Sequence, residues 1–300
     1  MDILSLNGIH KRFGDKEVLK GLTFSVPEGS VFGFIGKNGA GKTTAMKAIL
    51  GLIKTDSGEI SVGGDRVLYG RGEINRNIGY LPDVPEFYSF MNAEEYLAFC
   101  GEISGMSRND ITNRSGELLE LVGLKGEKHR IKGYSRGMKQ RLGIASALLG
   151  SPKLLICDEP TSALDPIGRK EILDILSSVK DRTTVMFSTH VLSDVERICT
   201  DVAFLNNGIA AMSGRLSEIK KSYSNGKYYV ELLTQSDLKA LIQSIPFAEP
   251  VGETAAEIDA CEKNFFELTA FITERKMPVL KIERREPTLE ELFIEVAGGR

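Results

Sequence analysis

Residues 36–44 read Gly-Lys-Asn-Gly-Ala-Gly-Lys-Thr-Thr, and this run restricts the chain to few folds. Before it comes Ser30-Val-Phe-Gly-Phe-Ile-Gly36, apolar and β-prone as a buried parallel strand requires. After it, Thr43 to Leu52 can form a helix. Strand, glycine-rich turn and helix together are the setting of a loop that cradles phosphates. Gly36, Gly39 and Gly41 let the backbone bend so that successive N–H groups aim at phosphate oxygens. The helix N-terminus adds partial positive charge. Lys42 can reach the β- and γ-phosphates, and the Thr43 hydroxyl can ligate Mg²⁺. A glycine-rich turn that merely holds a surface lysine does not account for this spacing and setting.

A second run supplies matching chemistry. Residues 153–160 read Lys-Leu-Leu-Ile-Cys-Asp-Glu-Pro. An apolar strand thus ends in two adjacent acids at its carboxyl end, where open α/β sheets bind ligands. Asp158 suits Mg²⁺, a hard cation that prefers oxygen, with water between them. Glu159 can polarise an attacking water as a general base. Alone, the pair would serve equally as a solvated strand end; the phosphate loop in the same chain favours the chemical reading.

The bulk properties exclude several classes. Net charge is −3, against the basic excess expected of a nucleic-acid binder. Residues 1–220 carry 28 Lys+Arg against 27 Asp+Glu, and residues 221–300 carry 10 against 14. That shift hints at a domain boundary near 220. Cys100, Cys157, Cys199 and Cys261 are scattered, form no C-x-x-C pair and suit a reducing compartment. The N-terminus lacks a basic region followed by an apolar core, so no signal peptide is expected. No uncharged stretch approaches the roughly 20 residues that span a bilayer. Work at a membrane would therefore need a membrane partner.

In order, strands are expected at Ile3–Leu6, Glu17–Phe24, Val31–Ile35, Gly58–Gly63 and Asn77–Leu81. Helices follow at Ala93–Gly101, Arg108–Val122 and Gly137–Leu149, the last with Met138, Leu142, Ala145 and Leu149 in one apolar stripe. Strands return at Lys153–Asp158 and Thr183–Thr189, around a helix at Ile167–Lys180. Asp201–Leu205 and Ile209–Ser213 read as a pair joined by the Asn207-Gly208 turn. This is an α/β core around a parallel sheet with a helical insertion. Beyond Lys221 the order strand, helix, two strands flanking Gly252, helix, strand and final helix fits a small ferredoxin-like module.

Tyr134-Ser-Arg-Gly-Met-Lys-Gln-Arg141, lying before the strand with the two acids, resembles the signature motif of ATP-binding-cassette (ABC) ATPases. Four more elements agree: Ser162-Ala-Leu-Asp165 resembles the D-loop, His190 after Phe187-Ser-Thr the switch histidine, Gly79-Tyr-Leu-Pro82 the approach to the Q-loop, and Phe13 the adenine-stacking aromatic. The resemblance covers residues 2–220. It implies a P-loop NTPase (ABC ATPase) core over residues 1–220, with a parallel sheet, an N-terminal antiparallel β subdomain and a helical subdomain at about 86–150. Residues 221–300 would be an accessory α+β C-terminal domain.

The resemblance also implies chemistry. ATP and Mg²⁺ would be bound by Phe13, Gly36, Asn38, Gly39, Ala40, Gly41, Lys42, Thr43, Thr44 and Asp83, with Ser135 and Gly137 acting across a dimer. Thr43, Asp158 and Asp83 would serve the metal; Glu159, His190 and Lys42 would be catalytic. In the family two ATPs are sandwiched between the phosphate loop of one subunit and the signature loop of the other. The expected partners are thus a second ATPase subunit and integral membrane permease subunits, with no nucleic acid. The protein would sit on the cytoplasmic face of the membrane through the permease. A soluble ABC ATPase acting on nucleic acid or ribosomes is the alternative.

Several readings stay open at this level. His190 could simply cap a strand end, Asp165 could cap a helix before Pro166, and Phe13 could be core. Phe87, Tyr88, Phe90, Tyr96 and Phe99 could be a core cluster or the groove that receives the membrane subunit's coupling helix. Asp83 stands where many members have Gln, and Tyr134, Arg136 and Met138 replace the commoner Leu, Gly and Gln. The signature variant and the ending Glu286-Pro-Thr-Leu-Glu-Glu-Leu-Phe293 resemble the subfamily that energises ABC-2-type exporters.

Overall fold

The computed structural model describes residues 1–72, 76–222, 226–259, 261–285 and 288–298. It divides into two compact units, Met1–Leu216 and Ser217–Arg300.

In the first unit, β1 (Asp2–Phe13) and β2 (Lys16–Pro27) form a long antiparallel hairpin. Then come β3 (Val31–Gly36), α1 (Lys42–Ile49), β4 (Ser57–Val62), β5 (Asp65–Arg66) and β6 (Ile78–Leu81). The helical stretch holds α2 (Ala93–Ile103), α3 (Arg108–Leu121) and α4 (Arg136–Leu148). The unit ends with β7 (Leu154–Asp158), α5 (Pro166–Ser178), β8 (Thr184–Thr189), α6 (Leu192–Ile198), β9 (Asp201–Asn206) and β10 (Ile209–Arg215). Helix α7 (Leu216–Ser222) follows.

Strands β3, β7 and β8 are buried at every position. Their apolar runs therefore sit in the middle of a sheet covered on both faces. The sheet order is β10-β9-β3-β8-β7-β6, parallel from β9 through β6, with β10 antiparallel at the edge. Asn207 (φ 48°) and Gly208 (φ 85°) make the turn into β10. A Cβ at residue 208 would lie 2.4 Å from the Val18 carbonyl oxygen, so glycine is required there twice over. A second sheet, β2-β1-β4-β5, is antiparallel. Phe24 stacks on Phe32 and Phe34, with centroids 5.6 and 5.2 Å away, and ties the two sheets into one core with Met46, Ile49 and Leu205.

The helices of the insertion begin where their caps dictate. Asn92 and Glu95 form a reciprocal capping box on α2, and Ser107 caps α3. On α4, Leu142, Ala145 and Leu149 are buried while Met138 is half-buried, which follows the four-three-four stripe.

The second unit contains β11 (Lys227–Leu232), α8 (Gln235–Ser244), β12 (Ala248–Val251), β13 (Ala255–Asp259), α9 (Glu262–Glu274), β14 (Val279–Arg285) and α10 (Leu289–Gly298). Its antiparallel sheet runs β12-β13-β11-β14, a split β-α-β arrangement of ferredoxin-like type. Its core holds Val230, Leu232, Leu241, Ile258 and Leu268.

Candidate nucleotide site

The loop between β3 and α1 turns on Gly41, which has φ 110° and occupies the N-cap position with no side-chain cap. An uncapped N-terminus leaves backbone N–H groups free to receive an anion. Gly36 gives room at the other end, because a Cβ there would lie 2.9 Å from the Leu205 carbonyl. Lys37, Asn38, Gly39 and Thr43 are exposed, and Ala40 and Thr44 half-buried, so the loop opens to solvent.

Lys42, like Gly36 and Gly41, is buried, with only 6% of it exposed. Its ammonium donates to the Gly36 carbonyl at 2.7 Å and lies 3.0 Å from Glu159 Oε1. The other Glu159 oxygen, Oε2, is 2.9 Å from His190 Nδ1. An ionised carboxylate can only accept, so Nδ1–H donates and Nε2 is left for another partner. Glu159 also has φ 47°, a left-handed conformation costing about 1–3 kcal/mol in a non-glycine residue. Its N–H donates to Ser188 Oγ at 3.0 Å.

Asp158 is nearly enclosed. Oδ2 accepts from the Thr43 hydroxyl at 2.9 Å, and Oδ1 accepts from the Ser188 hydroxyl at 2.6 Å. Thr43 and Asp158 thus present two hard oxygen donors at one point, a set suited to Mg²⁺ but too small to hold it without water or phosphate oxygens. Among the described residues no group of three or more His, Cys, Asp or Glu forms a metal cage. Burial pushes the neighbouring Tyr80 hydroxyl up to about 12, and the Asp158 charge adds to the shift.

Sequence reasoning missed a supporting layer. Ser188 is fully buried and bridges Asp158 to the Glu159 backbone. Asp194 on α6 is 2% exposed and accepts from the buried Thr161 hydroxyl at 2.7 Å, with Arg169 Nε at 3.9 Å. This bond ties the loop after Glu159 to the helix after His190. Burial pushes the Asp194 carboxyl above the usual range and the Glu159 charge adds to that, against the pull of Thr161, Arg169 and Arg197.

The remaining expected site residues have other partners within the chain. Ser135 caps α4, its Oγ accepting from the Met138 N–H at 3.2 Å, and is exposed. A Cβ on Gly137 would meet nothing closer than 3.9 Å, so the chain itself has no steric need of glycine there. Among the described residues no hydrogen bond or ion pair joins Ser135 or Gly137 to residues 36–44. Asp165 caps α5, accepting from the Gly168 N–H. Phe13 is half-exposed, with the Lys11 ammonium 5.0 Å from its ring centre. The Asp83 carboxylate pairs with Arg136 at 3.3 Å, and among the described residues no hydrogen bond or ion pair joins it to Thr43 or Asp158. Of the aromatic group, Phe87 packs edge-on against Tyr96 and Tyr88 against Phe99, while Tyr88 and Phe90 remain 50% and 60% exposed.

This sheet order, with its loop and paired acids at the strand ends, defines a P-loop nucleotide-hydrolysing core. Comparison with known proteins makes the class specific. The family profile described as "ABC transporter" matches residues 19–162, and that described as "ATP-binding protein DrrA1-3-like, C-terminal domain" matches residues 214–297. An uncharacterized ABC transporter ATP-binding protein, YxlF of Bacillus subtilis, is 37% identical over 98% of this chain and 99% of its own. The bacitracin transport ATP-binding protein BcrA of Bacillus licheniformis is 35% identical over 99% and 98%, and the linearmycin resistance ATP-binding protein LnrL of B. subtilis 32% over 99% and 98%. A solved ATP-binding subunit of an ABC transporter superposes with TM-score 0.65 at 31% identity, covering 74% of this chain and 93% of that one. The chain belongs to the ABC transporter family as an ATP-binding subunit, and it is an ATPase. Among the described residues no helix is long and apolar enough to cross a membrane.

Proposed function

We propose that this subunit powers export through separate integral membrane subunits, and that two copies close on ATP to do so. The observation that carries the dimer is that, among the described residues, no hydrogen bond or ion pair joins Ser135 or Gly137 to the phosphate loop, while position 137 holds a glycine that its own chain does not need. A glycine kept for close approach then serves something outside the chain. The names of the full-length relatives BcrA and LnrL, bacitracin transport and linearmycin resistance, support the exporter reading. The exposed Tyr88 and Phe90 suit contact with a membrane subunit, which would hold the protein at the cytoplasmic face.

In this reading residues 1–220 bind and hydrolyse ATP, and residues 221–300 are accessory. The amides of residues 36–44 and Lys42 hold the phosphates, and Phe13 offers a ring to the adenine. Thr43 and Asp158 hold Mg²⁺, which when bound offsets phosphate charge. Glu159 takes a proton from water as the water oxygen attacks the γ-phosphorus and the bond to the β-phosphate oxygen breaks, releasing ADP and phosphate. His190, hydrogen-bonded to Glu159, orients that carboxylate and presents Nε2 to the γ-phosphate region. On the opposite side, Ser135 and Gly137 of the second copy meet the same phosphate.

The test is Glu159→Gln in ATP and Mg²⁺, measured by sedimentation. The expected result is a stable dimer with turnover lost. A variant that stays monomeric with ATP bound would overturn the two-copy site. Co-purification of the full chain with a membrane protein tests the export arm.

A further inference from the structure

Two departures from the commoner family pattern, an acid at 83 and a base at 136, meet in space. Arg136 Nη2 is 3.3 Å from Asp83 Oδ1 and also reaches the Ser162 hydroxyl at 3.4 Å. One turn on, the fully buried Gln140 donates from Nε2 to the Asp83 backbone carbonyl at 2.6 Å. One turn further, α4 presses so close that a Cβ on Gly143 would lie 2.5 Å from Leu81 Cδ1 and 3.4 Å from Pro85 Cβ. Positions 136, 140 and 143 share one helix face. That face therefore grips residues 81–85 at three successive levels, and Asp83 is held by both side chain and backbone.

We propose that Asp83 is a positioning residue that acts through Arg136: the pair, with Ser162, sets the orientation of the helix that presents Ser135 and Gly137, and Asp83 does not ligand the metal or the nucleotide. The proposal rests on the reading of Ser135 and Gly137 as the nucleotide-facing loop.

Magnitude separates positioning from stability. Both side chains are more than two-fifths exposed, and a solvent-exposed ion pair of this kind stabilises a fold very little. Gln140 and the close approach at Gly143 already hold the segment to α4. What the ion pair adds is direction. It joins the N-terminal turn of α4, carrying Ser135 and Gly137, to two loops: the one after β6 and the one that begins at Glu159. The lone substitution of Asp83 for Gln would leave a carboxylate unmatched, and Arg136 for Gly would crowd a contacting loop with an unanchored cation. Together they neutralise and restrain one another.

The experiment is a double-mutant cycle in the full chain: Asp83→Asn, Arg136→Gln and both together. Each single variant is expected to lower kcat about tenfold, the scale of coupling between contacting residues, with an unchanged melting temperature and Mg²⁺ requirement. The double variant is expected to be no worse than either single one. In the nucleotide-free protein, hydrogen exchange at amides 136–139 should rise in both single variants alike. Multiplicative losses in the double variant, a raised Mg²⁺ requirement in Asp83→Asn, or wild-type kcat in the single variants would each overturn the proposal. Ser135→Ala run in parallel keeps the outcomes distinct: full turnover there defeats the underlying reading, whereas an impaired Ser135→Ala with an additive cycle defeats only the Asp83 role.

Discussion

Glu159 and His190 meet at 2.9 Å through Oε2 and Nδ1, while the opposite oxygen of the same carboxylate lies 3.0 Å from Lys42. One carboxylate therefore links the phosphate-loop lysine to the end of β8. His190→Ala removes one of those two restraints and leaves the Lys42 contact. The expected result is a fall in kcat of about 10²-fold, at the lower end for loss of a group that supports acid–base catalysis, with little change in nucleotide affinity. Steady-state ATPase assays and binding of a fluorescent nucleotide check it; an equal loss in both would place the histidine in ground-state binding.

Thr43 and Asp158 test the metal side. Thr43→Val keeps the shape and deletes the hydroxyl that Asp158 Oδ2 accepts. Asp158 is 4% exposed, so the oxygen loses a partner it cannot fully replace with water. The expected cost is about 1–3 kcal/mol of stability without nucleotide, read by urea unfolding. The Mg²⁺ concentration needed for half-maximal ATPase should also rise.

The strand ends of the candidate site were readable because their signals are local. Spacing and flanking apolarity marked β3, the phosphate loop and β7, and Asn207-Gly208 marked the turn into β10. The supporting layer was not readable. Ser188 serves Asp158 across 30 residues, and Asp194 serves Thr161 across 33, so nothing in either neighbourhood distinguishes them from any serine or aspartate near a strand end. Arg136 and Asp83 each stood out as unusual, yet 53 residues of chain hid their pairing. The hairpin strands run beyond the expected Ile3–Leu6 and Glu17–Phe24 because His10, Lys11 and Arg12 carry the ladder through polar residues. The seven-residue helices α6 and α7 went unread, being too short for a periodic stripe.

Asp194 gives a pH dependence with a definite sign. Its folded carboxyl is raised above the ordinary value of 3.8, chiefly by burial, so the folded state holds this proton more tightly than the unfolded chain does. The groups facing it are Thr161, Arg169, Arg197 and Glu159. Its protonated form therefore stabilises the fold fully below pH 3.8, and that contribution is lost as pH rises through the raised value. Asp194→Asn keeps an oxygen for Thr161 and has no charge to bury. The variant should be at least as stable as wild type at neutral pH, with the difference shrinking as pH falls. Urea midpoints across acid and neutral pH check it; a variant that grows relatively more stable as pH falls would contradict the burial argument.

Two glycines separate packing from function. A Cβ on Gly79 would lie 2.2 Å from the Ala147 carbonyl oxygen and 3.0 Å from Pro152 Cγ, inside the contact between β6 and α4. Gly79→Ala should cost about 1–3 kcal/mol or more, because backbone must move to admit the methyl group. Gly137 is the opposite case. It lies in the first turn of α4, has no positive φ, and a methyl there would meet Leu164 Cδ2 and Ser135 Oγ only at an ordinary contact distance of 3.9 Å. Helix propensity alone makes alanine better there by up to about 1 kcal/mol. Gly137→Ala should therefore melt at the same or a higher temperature while its ATP-driven dimerisation and turnover fall. A substitution that strengthens the fold and weakens the activity locates the need for glycine outside the single chain, at the surface that a second copy approaches. If Gly137→Ala instead retained full turnover, that surface would have to be sought elsewhere on the molecule.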